Sequence, residues 1–147
     1  MIVISDSSPL VALSRVDHLS VLKKLFGKIY IPDAVFEETV VHCNITIQKA
    51  NLQLALNDFI EIVTPRIEHS FSRNLGKGEK GVLNLAMELK PDILLMDDRK
   101  AGNEAKALGF VTTFTSDMLK AAAKRNFVSS YEDVVRQLQQ LGIYLPE

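Results

Sequence analysis

The chain has 147 residues and a formal net charge of -1 at pH 7, with 17 Lys and Arg against 18 Asp and Glu. Its composition, 47% hydrophobic and 24% charged, is ordinary for a globular protein with one core, and its near-neutral charge excludes nucleic-acid binding through a uniformly basic surface. The single cysteine, Cys43, excludes an internal disulfide and a cysteine-rich zinc site.

Short runs rich in β-branched residues alternate with longer amphipathic stretches along the chain. In chain order, we predict strands at residues 2–4, 28–31, 59–63, 93–96 and 110–113. The run ILLM at residues 93–96 is apolar at every position, which is typical of a central strand covered by helices on both faces. The alternation predicts an α/β fold with a largely parallel sheet flanked by helices.

The amphipathic stretches predict seven helices, at residues 19–26, 32–41, 46–56, 78–89, 99–108, 116–124 and 130–141. Pro32 favours a helix start, because its missing N–H would have no partner in the first turn. Residues 64–77 are polar, contain Pro65 and Gly76, and show no clear period, which predicts a loop.

The chain contains no internal repeat, low-complexity segment or sign of a second core, so we expect one domain over residues 1–147. No apolar run approaches the length of a membrane span, and the start MIVISDSSPL lacks the basic region and cleavage site of a signal peptide. We therefore expect a cytoplasmic protein with no membrane partner.

Acidic residues follow two of the predicted strands. Asp6 comes directly after the first strand, and the pair Asp97 and Asp98 comes after the fourth. Because ligands of parallel sheets bind outside the carboxyl ends of the strands, we expect these carboxylates to lie close together. Each of them could instead only cap the following helix, as Asp98 could for the helix that begins at Arg99.

Two predicted helices add further carboxylates. Glu79 lies at one end of an apolar helix face, which indicates that its carboxylate faces the sheet, although a first-turn Glu is also favoured by the helix dipole alone. In the pair Glu37 and Glu38, regular helical geometry gives only a weak preference for Glu38. Four such carboxylates would raise one another's pKa values, and a divalent cation would relieve the repulsion. Oxygen ligands favour Mg²⁺ or Mn²⁺.

At these residues the sequence resembles the PIN-domain superfamily of metal-dependent nucleases, and more closely its short bacterial and archaeal members of toxin-like type. The resemblance implies a three-layer α/β/α fold. It covers nearly the whole chain in family order, through the segments VISDSSPLVALSRVDHLSVLKKLFG, IYIPDAVFEE, LGKGEKGVLNLAMEL, DILLMDDRKAGNEAKALGF and LQQLGIYL.

The resemblance also implies which acids hold the metal and act in catalysis. It assigns Asp6 to the Asp after the first strand and Glu38 to the Glu of an early helix, with Glu37 as its rival. It assigns Glu79 to the acid that opens a later helix, where the broader superfamily more often has Asp. The last acid, after the fourth strand, is Asp98.

Four further positions can be compared with the family pattern. Asp97 is the rival of Asp98, and Ser8 matches a small hydroxyl residue that commonly supports the first Asp. Asp117 has no counterpart in the pattern, so we interpret it as a helix-start residue. Asn103 departs from a position where a basic residue is common, which weakens the case for a phosphate contact there.

The activity implied by the resemblance is Mg²⁺- or Mn²⁺-dependent hydrolysis of phosphodiester bonds in single-stranded RNA. Lys77, Lys80, Arg99 and Lys100 lie beside the acids in sequence and are candidates for holding the flanking phosphates, although surface lysines are often simply solvated. Phe71, in the predicted loop, could stack on a base or only pack against the protein.

The resemblance further implies a ribonuclease toxin of a type II toxin–antitoxin pair, with a small antitoxin protein as partner and with homodimer formation. The early part of the chain has more apolar residues than we expect one core to absorb, which we interpret as an indication of a dimer face. These residues are Val11, Leu13, Val16, Leu19 and Leu22.

Other classes of protein stay open at this point. A catalytically inactive PIN-like module would bind RNA or a protein without cutting. A haloacid-dehalogenase-like phosphatase would also have an Asp after its first strand, but it needs a second Asp two residues later, where this chain has Ser8. A response-regulator receiver needs an acidic pair before its acceptor Asp, whereas Ser5 precedes Asp6.

Overall fold

Five parallel strands form one sheet in the computed structural model, which describes residues 1–147. Their order across the sheet is β3-β2-β1-β4-β5, and every neighbouring pair is parallel. Helices flank this sheet, so the predicted three-layer α/β/α architecture is confirmed. The strands are β1 (Val3–Ser5), β2 (Ile29–Ile31), β3 (Ile60–Ile62), β4 (Ile93–Leu95) and β5 (Thr112–Thr113).

Strand β4, predicted as the central strand, lies inside the sheet between β1 and β5. Leu94, Leu95 and Met96 are at most 1% exposed, as expected for a strand covered on both faces. The middle position itself belongs to β1. The chain adds β2 and β3 on one side of β1 and then β4 and β5 on the other, so the strand order reverses between β1 and β4.

Eight helices connect and cover the strands. The seven predicted helices are confirmed with ends displaced by at most one residue, except that the second one changes type along its length. Its first part is α3, and its second part is a π-helical segment, Glu37–Val41. The helices are α1 (Ser7–Arg15), α2 (Ser20–Phe26), α3 (Asp33–Phe36), α4 (Thr46–Leu56), α5 (Lys77–Leu89), α6 (Arg99–Ala107), α7 (Thr115–Lys124) and α8 (Tyr131–Gln140).

Helix α1 was missed by the sequence analysis. The Asp6 carboxylate accepts a hydrogen bond from the backbone N–H of Ser7 and caps this helix, while Leu10 and Leu13 are fully buried. Leu13, Leu19 and Leu22 all belong to the core, which corrects their interpretation as part of a dimer face. Val16 also packs against that core.

The buried apolar side chains form one cluster of 32 residues. It includes residues of four strands and of most helices, so both faces of the sheet contribute to it. The predicted loop at residues 64–77 is confirmed, except that Lys77 already belongs to α5. None of the helices combines the length and the apolar character needed to cross a lipid bilayer.

Candidate active site

The site predicted from the acidic residues lies where the strand order reverses, between the carboxyl ends of β1 and β4. Ser5 is paired with Leu95, and the backbone N–H of Asp6 continues the pairing by donating to the Leu95 carbonyl at 2.9 Å. Asp6 therefore leaves β1 at the sheet edge to which β4 also delivers Asp98. Such a reversal point opens a crevice that α/β proteins use to bind ligands.

Asp6 is the buried carboxylate of this site, with 3% of its surface exposed. Its Oδ1 accepts the Ser7 N–H at 2.8 Å, and its Oδ2 accepts no hydrogen bond. Burial, together with the negative charges of Glu79, Glu38 and Asp98, raises the pKa of Asp6 to about 7, although the Ser7 N–H opposes the shift. The other three predicted carboxylates are thus near enough to influence Asp6 electrostatically.

Glu38 lies in the π-helical segment, where its Oε2 accepts the Ser7 hydroxyl at 2.6 Å. A glycine in α5 makes room for this carboxylate, because a Cβ atom on Gly78 would lie 2.7 Å from Oε1 of Glu38. Glu37, the rival, instead lines a neighbouring groove and takes part in no side-chain hydrogen bond. The structure thus places Glu38, and not Glu37, against Ser7 and the start of α5.

Glu79 lies in the first turn of α5, which is capped by Gly76. Its half-buried carboxylate accepts no hydrogen bond, and a Cβ atom on Gly76 would lie 3.2 Å from its Oε1. A first-turn carboxylate is stabilised by the positive end of the helix dipole. Stabilisation by the helix dipole agrees equally with Glu79 as a metal-binding residue and with Glu79 as a purely structural first-turn residue. Only the effect of its charge on Asp6 connects Glu79 with the site.

The adjacent residues Asp97 and Asp98 have different environments. Asp98 is exposed and caps α6, with its Oδ1 accepting the backbone N–H groups of Lys100 and Ala101 at 2.8 and 3.2 Å. Asp97 is buried, and both of its oxygens are used by Thr115, one by the backbone N–H and one by the hydroxyl. Burial raises the pKa of Asp97, while these two hydrogen bonds oppose the shift.

The serine that contacts the acids is Ser7, which the sequence analysis did not select. Its N–H binds Asp6 and its hydroxyl binds Glu38, so it connects the two carboxylates. Ser8, selected in its place, is exposed and makes no side-chain hydrogen bond. The position of Ser7, between the end of β1 and the first turn of α1, could have indicated this role. It was not recognised because α1 was not predicted.

The four predicted phosphate-binding residues divide into two pairs. Lys77 and Lys80 lie on α5 and take part in no ion pair. Arg99 donates to the backbone carbonyl of Glu147 at 2.8 Å, and Lys100 to another backbone carbonyl at 3.1 Å. The first pair is therefore free for a ligand, while the second pair already has protein acceptors.

Two further positions were considered from the sequence. Asp117 lies in the first turn of α7, which agrees with its interpretation as a helix-start residue. Asn103 is exposed on α6.

The donor set is chemically suited to a hard divalent cation. None of the five ion pairs of the protein includes Asp6, Glu38, Glu79 or Asp98, so no Lys or Arg neutralises them directly. However, no group of three or more Asp, Glu, His or Cys side chains is close enough to hold one ion by direct contact alone. A cation at this site would therefore keep part of its water shell, as Mg²⁺ usually does in proteins.

A parallel sheet with an acidic, oxygen-only crevice at the reversal of its strand order defines the class: an α/β protein with carboxylates gathered at the carboxyl ends of its strands. A family model described as "DUF3368: PIN domain" matches residues 2–147. The chain therefore belongs to the PIN-domain family, which confirms the resemblance and removes the phosphatase and receiver alternatives. PIN domains are generally nucleases that use divalent metal ions.

Two solved structures share this fold. A PilT N-terminus domain protein of Sulfolobus solfataricus is 16% identical with a TM-score of 0.58, over 83% of this chain and 93% of that one. A domain of a functionally unknown protein from Methanocaldococcus jannaschii is 22% identical with a TM-score of 0.51, over 76% and 89% of the two chains. At these identities the likeness concerns the fold alone. No protein with a curated description matches the chain.

Proposed function

We propose that the protein is a metal-dependent nuclease that hydrolyses phosphodiester bonds of single-stranded RNA. The observation that supports this proposal is the environment of Asp6. A buried carboxylate whose pKa is raised to about 7 by burial and by three other carboxylates has no compensating cation from the protein. An arrangement that is unfavourable for the protein alone is favourable around a bound cation.

The residues that would hold Mg²⁺ or Mn²⁺ are Asp6, Glu38, Glu79 and Asp98. Asp6, Glu38 and Asp98 each keep one carboxylate oxygen that accepts no hydrogen bond. The other oxygen accepts from Ser7 in the case of Asp6 and Glu38, and from the start of α6 in the case of Asp98. When bound, the ion supplies an activated water and stabilises charge on the leaving oxygen. The chain's own contribution is to orient these carboxylates and to place Lys77 and Lys80 near an incoming phosphate.

The test is cleavage of a labelled single-stranded RNA with Mn²⁺, with Mn²⁺ plus excess EDTA, and with the Asp6→Asn variant. We expect cleavage only in the first case, because the other two remove the ion or a ligand. Cleavage that persists in EDTA would show a contaminating or different nuclease and would contradict the proposal. Binding of RNA without cleavage would support the alternative, an inactive PIN-like binding module.

We further propose, on the resemblance, that the protein is the toxin of a type II toxin–antitoxin pair, pairs with itself and is neutralised by a small antitoxin protein. Induced expression in a bacterial host should then arrest growth, and co-expression of the neighbouring small open reading frame should restore it. Sedimentation equilibrium tests the homodimer, which would have twice the 16.4 kDa mass of the chain. Expression of the Asp6→Asn variant should be harmless.

A further inference from the structure

The largest groove of the molecule adjoins the carboxylate site. It has a volume of about 800 Å³ and is lined by α3, the π-helical segment, α5 and residues 63–76, which we call the β3–α5 loop. Its wall includes Glu37 and Lys77, whose neighbours in sequence, Glu38 and Gly78, contact each other at the site. A chain lying in this groove would therefore lead to the acids.

Helix α5 holds one half of the β3–α5 loop. The carboxylate of Glu88 accepts the backbone N–H groups of Arg66 and Ile67. Asn84 accepts the backbone N–H of His69 at 2.8 Å through its Oδ1. Backbone N–H groups of the loop that would otherwise bind water thus donate to side chains of α5. This wall of the groove is therefore formed before any ligand binds.

Helix α6 holds the other half of the loop. Glu104, 3% exposed, accepts the Ser72 hydroxyl at 2.7 Å and forms an ion pair with Arg73 at 3.0 Å. Lys100 donates to the carbonyl of Asn74 at 3.1 Å. The hydroxyl of Ser72 and the guanidinium of Arg73 lower the pKa of Glu104, so this carboxylate stays charged at neutral pH. Glu104 has no contact with the acids of the site and acts as an anchor of the loop.

One stripe of α5 faces the groove with groups suited to a nucleic-acid strand. Lys77, Lys80, Gly81 and Asn84 line it at helical spacings of three and four residues. The two lysines take part in no ion pair, and their Cβ atoms are about 5–6 Å apart by helical geometry. The side-chain amide nitrogen of Asn84 donates to no protein acceptor, so it can donate to a ligand.

The other residues that line the groove include one phenyl ring and several acids. Phe71 is half-buried, packs against the core and lines the groove. Asp33, Glu37 and Glu68 also line it, so the lysines are not part of a strongly positive surface. Affinity must then come from a few local contacts together with stacking, which requires a base free of its partner strand.

We propose that this groove binds the nucleotides of single-stranded RNA next to the scissile phosphate. Phe71 stacks on one base, Lys77 and Lys80 each contact a phosphate, and the Asn84 amide donates to a base or ribose. The inference rests on the proposed function, because it assigns a place to the substrate of that same site.

The test is the affinity for a fluorescein-labelled single-stranded octaribonucleotide, measured by anisotropy in EDTA with the Asp6→Asn chain so that the probe is not cut. Lys77→Gln/Lys80→Gln should weaken binding about tenfold at low salt and reduce the slope of log K against log salt by about 1.4, or 0.7 for each phosphate contact. The matched pair Lys106→Gln/Lys124→Gln removes two exposed lysines outside the groove and should change affinity by less than about twofold.

The ring of Phe71 is tested separately from its packing. Phe71→Leu keeps an apolar side chain but removes the stacking surface, so it should weaken binding roughly five- to hundredfold, whereas Phe71→Tyr should bind like the unchanged chain. The proposal is overturned if Phe71→Leu binds like the unchanged chain, if the two lysine pairs have equal effects, or if no RNA is bound. Thermal melting of each variant identifies any loss from misfolding, and Phe71→Tyr and the lysine pairs keep the test valid if Phe71→Leu is unstable.

Cleavage of the same RNA in Mn²⁺, with Asp6 restored, distinguishes this inference from the proposed function. Binding through the groove without cleavage would refute the nuclease and keep the groove. Cleavage that is unaffected by Lys77→Gln/Lys80→Gln and Phe71→Leu would refute the groove and keep the nuclease.

Discussion

Asp97 and Asp98 show how adjacent residues of one type acquire different tasks at the end of a strand. Asp97 follows β4 into the interior and fixes the start of α7 through Thr115. Asp98 turns outward, caps α6 with one oxygen and keeps the other for a ligand. Only the second arrangement leaves a carboxylate oxygen available at the crevice.

We therefore predict that Asp98→Asn loses most Mn²⁺-dependent RNA cleavage, while Asp97→Asn keeps the greater part. Asn remains a good helix cap, so Asp98→Asn should change the free energy of unfolding by less than about 1 kcal/mol. Initial cleavage rates of the two variants, compared after each is shown to be folded, check the prediction. An equal loss in both would indicate a shared ion, and the reverse order would refute the assignment.

Asp6 makes the stability of the metal-free protein depend on pH. Its pKa is raised from an ordinary 3.8 to about 7 in the folded chain, so folding favours its protonated form. Stability is therefore highest below the unfolded-state pKa with respect to this group, and it is lost as pH rises through the folded-state pKa.

We predict that Asp6→Asn, in EDTA, melts at a higher temperature than the unchanged protein at pH 8, and that the difference shrinks toward pH 4. Each unit of pKa shift corresponds to about 1.4 kcal/mol, and each kcal/mol to roughly 2–4 °C in Tm for a chain of this size. Melting curves followed by circular dichroism at both pH values measure the difference. A lower Tm for the variant at pH 8 would show that Asp6 is already compensated within the protein.

Among the elements, the contact between α5 and the π-helical segment defines the position of Glu38. Gly78 allows the Glu38 carboxylate to lie against α5, and Gly81, one turn later, allows close packing on α3, since a Cβ atom there would lie 3.2 Å from Pro32. The two glycines are used for close approach and not for an unusual backbone conformation.

We predict that Gly78→Ala lowers cleavage about tenfold or more, because its methyl group displaces a carboxylate that would need to orient a metal. Stability should change little, since Ala is favoured over Gly in helices by about 1 kcal/mol and the displaced group is the end of a flexible side chain. Gly102→Ala in α6 is the matched control, because a Cβ atom there meets nothing within 4 Å. Equal activity of the two variants would contradict this role for Gly78.

The π-helical segment is supported by a buried glutamine of α4. Gln48, 2% exposed, donates from Nε2 to the Thr39 carbonyl at 2.8 Å and accepts from Nε of Arg15 at 2.9 Å. The wider π-helical turn interrupts the regular α-helical hydrogen bonds, and the Gln48 side chain of α4 donates to the Thr39 carbonyl within that turn.

Gln48→Leu should reduce the free energy of unfolding by about 1–3 kcal/mol, because the Thr39 carbonyl and the Arg15 guanidinium both lose a buried partner. Urea denaturation measures this loss of stability, and Gln53→Leu, which changes an exposed glutamine of the same helix, is the matched control variant. Similar midpoints for both would show that water replaces Gln48 without loss.

The elements also show where sequence patterns were sufficient. The apolar run at residues 93–96 and the helices with one clear apolar face were predicted because burial on a sheet imposes a regular period. Helix α1 was missed because Asp6 was considered as a cap of the following helix without that helix being placed, and the contact from Ser7 shows where it begins. The choice between Glu37 and Glu38 was weak because it assumed a regular turn, whereas the segment is π-helical.

For the whole molecule, a net charge of -1 conceals the uneven distribution that matters for function. Composition could exclude a uniformly basic surface, but it could not show that three carboxylates influence Asp6 while Lys77 and Lys80 line a groove beside them. That arrangement results from the strand order and from the β3–α5 loop, which connects residues distant in sequence. Sequence motifs predicted which acids belong to the site, whereas the contacts of the acids with Ser7, Thr115 and the glycines of α5 are visible only in the three-dimensional structure.

A bound metal ion should stabilise the fold of the whole chain. A ligand that binds only the folded state stabilises it, by about 2.7 kcal/mol at one hundred times its Kd. Mn²⁺ should therefore raise the Tm by roughly 5–10 °C at pH 8, and less at pH 5, where a protonated Asp6 competes with the ion. Glu38→Gln should lose most of this shift, whereas Glu37→Gln should keep it, because only Glu38 lies against Ser7. Excess EDTA should reverse the shift, and an equal rise in both variants would show that Mn²⁺ binds elsewhere.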